Sequence, residues 1–178
     1  MRVLYRVRQF WRILIANAGS PELEPPTELL NPAQAALFDQ LQSGEKAHAL
    51  TMARRLMEQG ELQADLLVAA LLHDVGKLHH HLHPLERAMV VLVKAVMPEH
   101  ACRWGNSSLN ELNGIPRWRK AFVVAQQHAA WGAELAHQAG VSPLTETLIR
   151  LHHHPLALNG DTAETSLLRK LWLVDNES

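Results

Sequence analysis

Seven histidines and aspartates stand beside apolar helical stretches of this chain: His48, His73, Asp74, His128, His152, His153 and Asp175. Neutral imidazole and carboxylate are both good ligands for divalent cations. The most telling stretch is Leu66-Leu67-Val68-Ala69-Ala70-Leu71-Leu72-His73-Asp74-Val75-Gly76-Lys77. Its apolar run has no alternation and no turn residue, so it reads as a buried helix, with Gly76 as a stop signal. An imidazole and a carboxylate at the buried end of such a helix are costly unless something satisfies them. A metal ion satisfies both. One His-Asp pair is a weak signal, but these residues recur on successive helices, and antiparallel helices bring distant positions to one level of a bundle. Nitrogen and oxygen donors without sulfur suit Fe, Mn, Co, Ni, Zn or Mg. Three or four hold one ion; the full set suits two ions bridged by a carboxylate. The expected cofactor is therefore one or two divalent metal ions.

Composition narrows the alternatives. The chain has 178 residues, 47% of them hydrophobic, which favours one domain with a real core over disorder. Its formal net charge of -1 provides no basic field for double-stranded nucleic acid. Twelve histidines are present, where average usage gives about four. Cys102 is the single cysteine, so neither an intrachain disulfide nor a thiolate zinc site can form. No stretch approaches the roughly 18 apolar residues that span a bilayer. Arg6, Arg8 and Arg12 interrupt what would be the apolar core of a signal peptide. A cytoplasmic location is expected.

The elements that must position these side chains follow from periodicity and caps. Residues 1–26 form a basic amphipathic segment and a proline-containing linker; residues 27–178 form the domain. In residues 2–16, Val3, Val7, Phe10 and Leu14 share a helical face, with Arg2, Arg6, Arg8 and Arg12 elsewhere on the turn. This segment suits peripheral contact with an anionic membrane, or docking on the domain or on the second subunit of a homodimer. Asn31-Pro32 opens a helix through about Gln42, broken at Ser43-Gly44-Glu45. The next runs from about Glu45 to Gln59 and closes at Gly60. The central helix leads to Asp74, and His79, His80, His81 and His83 follow in a tract read as a solvated connector. Pro84 starts an apolar helix through Met97. Residues 99–115 read as irregular. Pro116 opens a helix to about Gln138, closed by Gly140, and Ser142-Pro143 caps one reaching Leu151. Residues 156–161 form a turn, and Thr162 to Asn176 form the last helix. No alternating strand pattern occurs, so the fold class is all-α, a helical bundle with an amphipathic N-terminal helix.

The order of these motifs resembles the HD superfamily of metal-dependent phosphohydrolases. Leu71 to Lys77 matches its signature, and His48 with Ala53-Arg54-Arg55-Leu56 matches its first motif. His128 to Leu135 resembles the His-Pro-x-x-Gly-Ala-Glu-Leu element of an extended branch that includes the HD-GYP domains, with Ala129 in place of proline. Ile149-Arg150-Leu151-His152-His153 resembles that branch's His-His element, and Leu171 to Asp175 matches the closing aspartate helix. The Gly-Tyr-Pro signature is absent, with Leu156 to Asp161 in its place. Small bacterial HD proteins that begin with a basic segment like Arg8-Gln9-Phe10 are similar as well. The resemblance implies an HD-type helical metal-binding domain. It implies His48, His73, Asp74 and Asp175 as primary ligands, Asp74 bridging, with His128, His152 and His153 holding a second ion. It implies catalytic roles for Asp74 and Lys77, with Lys77 and Arg54 binding the substrate phosphate. The activity implied is hydrolysis of a phosphorylated small molecule or nucleotide. Two alternatives are a non-catalytic regulatory metal-binding module and a diiron oxygenase of the same fold.

Overall fold

The computed structural model describes residues 29–154 and 159–177. The N-terminal segment, residue 155 and residues 156–158 of the expected turn lie outside the described residues. Among the described residues there are helices and turns and no strand, so the protein is all-α. The helices are α1 (Pro32–Asp39), α2 (Ser43–Glu58), α3 (Ala64–Leu72), α4 (Pro84–Val96), α5 (Pro98–Gly105), α6 (Arg117–Gln138), α7 (Pro143–Leu151) and α8 (Ala163–Glu177). Short 3₁₀ turns occupy Val75–His79 and Leu109–Gly114. No described helix is long and apolar enough to cross a membrane.

Helix α3 is the axis of the domain. Every residue from Leu66 to Leu72 is buried, which accounts for its lack of a polar face. It packs against α2, α7, α8 and α1. The main core gathers Met52 and Leu56 of α2, Leu148 and Ile149 of α7, and Leu168 and Leu171 of α8 around it. A smaller cluster joins α4, α5 and α6 through Leu82, Val90, Ala101 and Phe122.

Caps act largely where the residue types place them. The Asn31 side chain accepts from the Gln34 backbone N–H, and Pro32 takes the first helical position. Asn31 Nδ2 also donates to the Ala139 carbonyl at 3.0 Å, tying α1 to the end of α6. Ser142 caps α7 in the same manner. Gly60 and Gly140 adopt φ of 82° and 75°, the left-handed conformation that closes α2 and α6.

Three boundaries differ from expectation. Ser43 and Gly44 do not break the chain; they form the first turn of α2, because the buried Glu45 side chain accepts from the Gln42 backbone N–H at 3.2 Å. Arg87 of α4 neutralises that carboxylate at 2.6 Å. Residues 99–115, expected to be irregular, fall largely in α5 (Pro98–Gly105) and a 3₁₀ turn (Leu109–Gly114), each started by a local cap or proline. The histidine tract is only partly a solvated connector. His81 and His83 are exposed, whereas His79 lies in the 3₁₀ turn against the Trp131 ring, centroids 5.4 Å apart. His80 is half-buried, and its Nε2 has no partner.

A candidate metal centre

Four helices and the turn after α3 converge on one cluster. His48 projects from the middle of α2. His73 caps the C-terminus of α3, and Asp74 immediately opens the 3₁₀ turn with φ -98° and ψ 0°. His128 sits inside α6, His152 caps α7 with His153 following, and Asp175 comes from the last turn of α8.

The turn reaches α6 because of glycine. A Cβ on Gly76 would lie 1.9 Å from the His128 carbonyl oxygen and 2.6 Å from the Gly132 nitrogen. A Cβ on Gly132 would in turn lie 3.1 Å from the Gly76 nitrogen. Two backbones cross at a distance that no side chain allows, and the crossing sets Asp74 against His128.

Within the cluster, His48 Nε2 lies 3.0 Å and His73 Nε2 3.8 Å from Asp175 Oδ1. Asp74 faces both ways: Oδ2 is 3.5 Å from His73 Nε2, and Oδ1 is 3.5 Å from His128 Nε2. His153 Nδ1 is 3.7 Å from Asp175 Oδ2. Ligand atoms of His48, His73 and Asp175 all lie within 4.8 Å of one another, as do those of His128, His152 and His153. The His73 and His152 rings, 5.2 Å apart, join the two groups.

The tautomers are set by the backbone. Nδ1 of His73 meets the Ala70 carbonyl at 2.9 Å, that of His128 meets Val124 at 3.0 Å, and that of His152 meets Ile149 at 2.6 Å. A carbonyl only accepts, so each Nδ1 carries the proton and donates. In the neutral ring each Nε2 is then a bare lone pair. These same three Nε2 atoms are buried and lack any hydrogen-bond partner. Buried polar atoms without partners are costly, and three converging lone pairs have no mutual remedy. A divalent cation supplies one, and a second hydrogen bond at the far ring nitrogen is the usual way a protein orients an imidazole ligand. The donor set fits such an ion.

Electrostatics agree. Burial is the largest influence on His128 and lowers it to about 3, with Lys77 adding to the effect. His152 is likewise driven well down by burial. Both are neutral, the ligating form. Burial opposes ionisation of Asp74, but Lys77, then His73, His128 and His48, outweigh it and hold the carboxyl well below the usual range. Asp175 is also held down: burial again opposes, and the His48 hydrogen bond and the His73 charge prevail.

Of the sequence-derived candidates, the structure brings His48, His73, Asp74, His128, His152, His153 and Asp175 together. It adds Lys77, whose Nζ lies 2.5 Å from Asp74 Oδ2 with its side chain about a fifth exposed. It does not bring Arg54. That residue is exposed, and six residues along α2 from His48 place it about 9 Å further and about 120° around the helix. The Gly76–Gly132 crossing was missed at the sequence level; a glycine after each of two metal-candidate residues, at 74 and at 128, was its only trace.

A family model described as HD domain matches residues 46–176, which span α2 through α8. No curated protein and no solved structure matches the chain.

Proposed function

The chain belongs to the HD domain family, and from that premise we propose that it is a phosphohydrolase that holds two divalent cations. His48, His73 and Asp175 would hold one ion, and His128, His152 and His153 the other, with one oxygen of Asp74 directed to each group. The observation that carries this reading is the set of three buried, unpartnered Nε2 atoms, each on a ring oriented by a carbonyl at the opposite ring nitrogen. When bound, such ions supply Lewis acidity toward a phosphoryl oxygen and make water acidic near neutral pH.

The chain's own groups do the remaining work. Asp74 stays ionised beside Lys77, so it acts as a fixed anion and not as a proton donor. Lys77, bonded to Asp74 through Nζ and with its side chain about a fifth exposed, offers a cationic group on which a phosphate oxygen can dock. That charge is worth most as negative charge moves onto oxygen during transfer. His153, half-exposed beside the buried His152, marks the side from which substrate enters. The substrate class supported is a phosphoester, in a small molecule or nucleotide.

The test uses untagged protein loaded with Mn(II) or, anaerobically, with Fe(II). Hydrolysis of bis-p-nitrophenyl phosphate and of a nucleotide panel is measured beside His48→Ala and Asp74→Ala. Turnover in the wild type, lost in both variants, is the expected result. A metal-replete wild type that hydrolyses nothing overturns the phosphohydrolase reading and leaves the regulatory module. Ferrous-dependent oxygen uptake without phosphate release favours the oxygenase.

A further inference from the structure

The two groups of ligand atoms are chemically unequal. His128, His152 and His153 form one group, made of three imidazoles. The carboxylate oxygen facing it is Asp74 Oδ1, 3.5 Å from His128 Nε2. His48, His73 and Asp175 form the other group, which draws on two carboxylates. Asp175 Oδ1 lies 3.0 Å from His48 Nε2 and 3.8 Å from His73 Nε2, and Asp74 Oδ2 lies 3.5 Å from His73 Nε2. The second oxygen of Asp175 approaches the imidazole group at its half-exposed member, 3.7 Å from His153 Nδ1.

Two further contacts widen the difference. Carbonyls hold Nδ1 of His128 and of His152, so the imidazole group presents fixed nitrogen donors whose Nε2 atoms have no other partner. At the carboxylate group, Lys77 Nζ sits 2.5 Å from Asp74 Oδ2. An ammonium and a metal ion would share that oxygen, and two like charges so placed weaken each other's hold on it. Asp74 Oδ1, directed to the imidazole group, is the oxygen that Lys77 leaves to the histidines.

Imidazole nitrogen suits zinc, nickel and ferrous iron, whereas carboxylate and water oxygen suit manganese and magnesium. Zinc binds more tightly than manganese at any site of nitrogen and oxygen donors, so the donor set decides the margin between them. We propose that the centre is built for two unlike ions. A nitrogen-preferring ion, zinc or ferrous iron, belongs at His128, His152 and His153. An oxygen-preferring ion, manganese or magnesium, belongs at His48, His73 and Asp175, and it is the more easily exchanged of the two because Lys77 competes for its oxygen. This proposal rests on the two-ion reading above and adds to it the class of ion that each group takes.

The experiment is metal competition on the untagged full-length chain, read by binding and spectroscopy and not by activity. Each group is isolated by removing a ligand of the other: Asp175→Asn leaves the imidazole group, and His152→Ala leaves the carboxylate group. The ratio of the manganese to the zinc dissociation constant is expected to be at least about tenfold larger in Asp175→Asn than in His152→Ala. A second measurement needs no variant. Wild-type protein stripped of metal is given one equivalent of zinc and then excess manganese, and is desalted. Its zinc-edge X-ray absorption is expected to show most of the zinc with three imidazoles, and electron paramagnetic resonance to show manganese uncoupled to a second manganese ion. Equal ratios in the two variants, a larger ratio in His152→Ala, or zinc held by two imidazoles overturns the proposal and leaves the two-ion reading standing. A wild type that retains no ion overturns both.

Discussion

At the scale of single residues, the centre depends on lone pairs and not on charge alone. His128 and His152 are kept neutral by burial, and they and His73 are oriented by carbonyls of their own helices, so replacing one removes a donor without unfolding the turn that carries it. His152→Ala is expected to lose one ion per chain and retain the other, read by elemental analysis. Asp74→Ala, which faces both groups, is expected to weaken both. Lys77→Ala is expected to retain metal but to lower phosphoester turnover on the order of a hundredfold, since it removes a charge that acts chiefly on the reacting phosphate. The same burial makes the metal-free protein acid-sensitive. His128 has a folded value of about 3 against an unfolded value near 6.5, so the unfolded chain binds the extra proton between those limits. Stability conferred by the neutral ring is complete above pH 6.5 and is lost as pH falls toward 3. Asp74 and Asp175 are shifted down as carboxylates and lose their contribution lower still, below the ordinary carboxylate range. The combined effect is on the order of a few kcal/mol. The melting temperature of chelator-treated protein is expected to fall steeply from pH 6.5 to pH 4, less steeply in His128→Gln, and least when His152 is replaced as well.

At the scale of elements, the Gly76–Gly132 crossing is what joins the two groups of ligands. The turn and α6 approach until backbone meets backbone, and Asp74 and His128 are carried along. Gly132→Ala forces the turn aside by a few tenths of an ångström and is expected to weaken metal binding about ten- to a hundredfold, as displacement of an outer shell does. Gly114→Ala meets nothing within 4 Å and is expected to match the wild type in both metal affinity and melting temperature. Most elements were legible in the sequence where capping chemistry is local. Asn31-Pro32, Ser142-Pro143, Gly60 and Gly140 each satisfy or end a helix with groups a few residues away. The approach of two glycines from distant segments has no local signature, because either one alone reads as a helix stop or a tolerated interruption. Ser43-Gly44 misled for a related reason. Their helical state depends on Glu45, which a distant arginine makes tolerable to bury. Residues 99–115 look irregular by composition, yet α5 orders much of that stretch by packing on α6.

At the scale of the whole molecule, two cores of unequal size share α6. The larger one is built around α3, whose C-terminal cap is His73. The smaller one supports α4 from one side only. The candidate ligands could be read from the sequence because imidazoles beside apolar faces are anomalous wherever they occur. Arg54 could not be separated from them, since its neighbours match the motif while its direction depends on how α2 turns.

The claim on which all this rests is that the cluster binds divalent metal in stoichiometric amount. Elemental analysis of untagged protein, desalted after reconstitution and compared with Asp74→Ala, tests it most directly. The account expects two ions per chain in the wild type and a fall below one in the variant. A wild-type chain that retains no stoichiometric ion, or a variant that retains as much as the wild type, would contradict it.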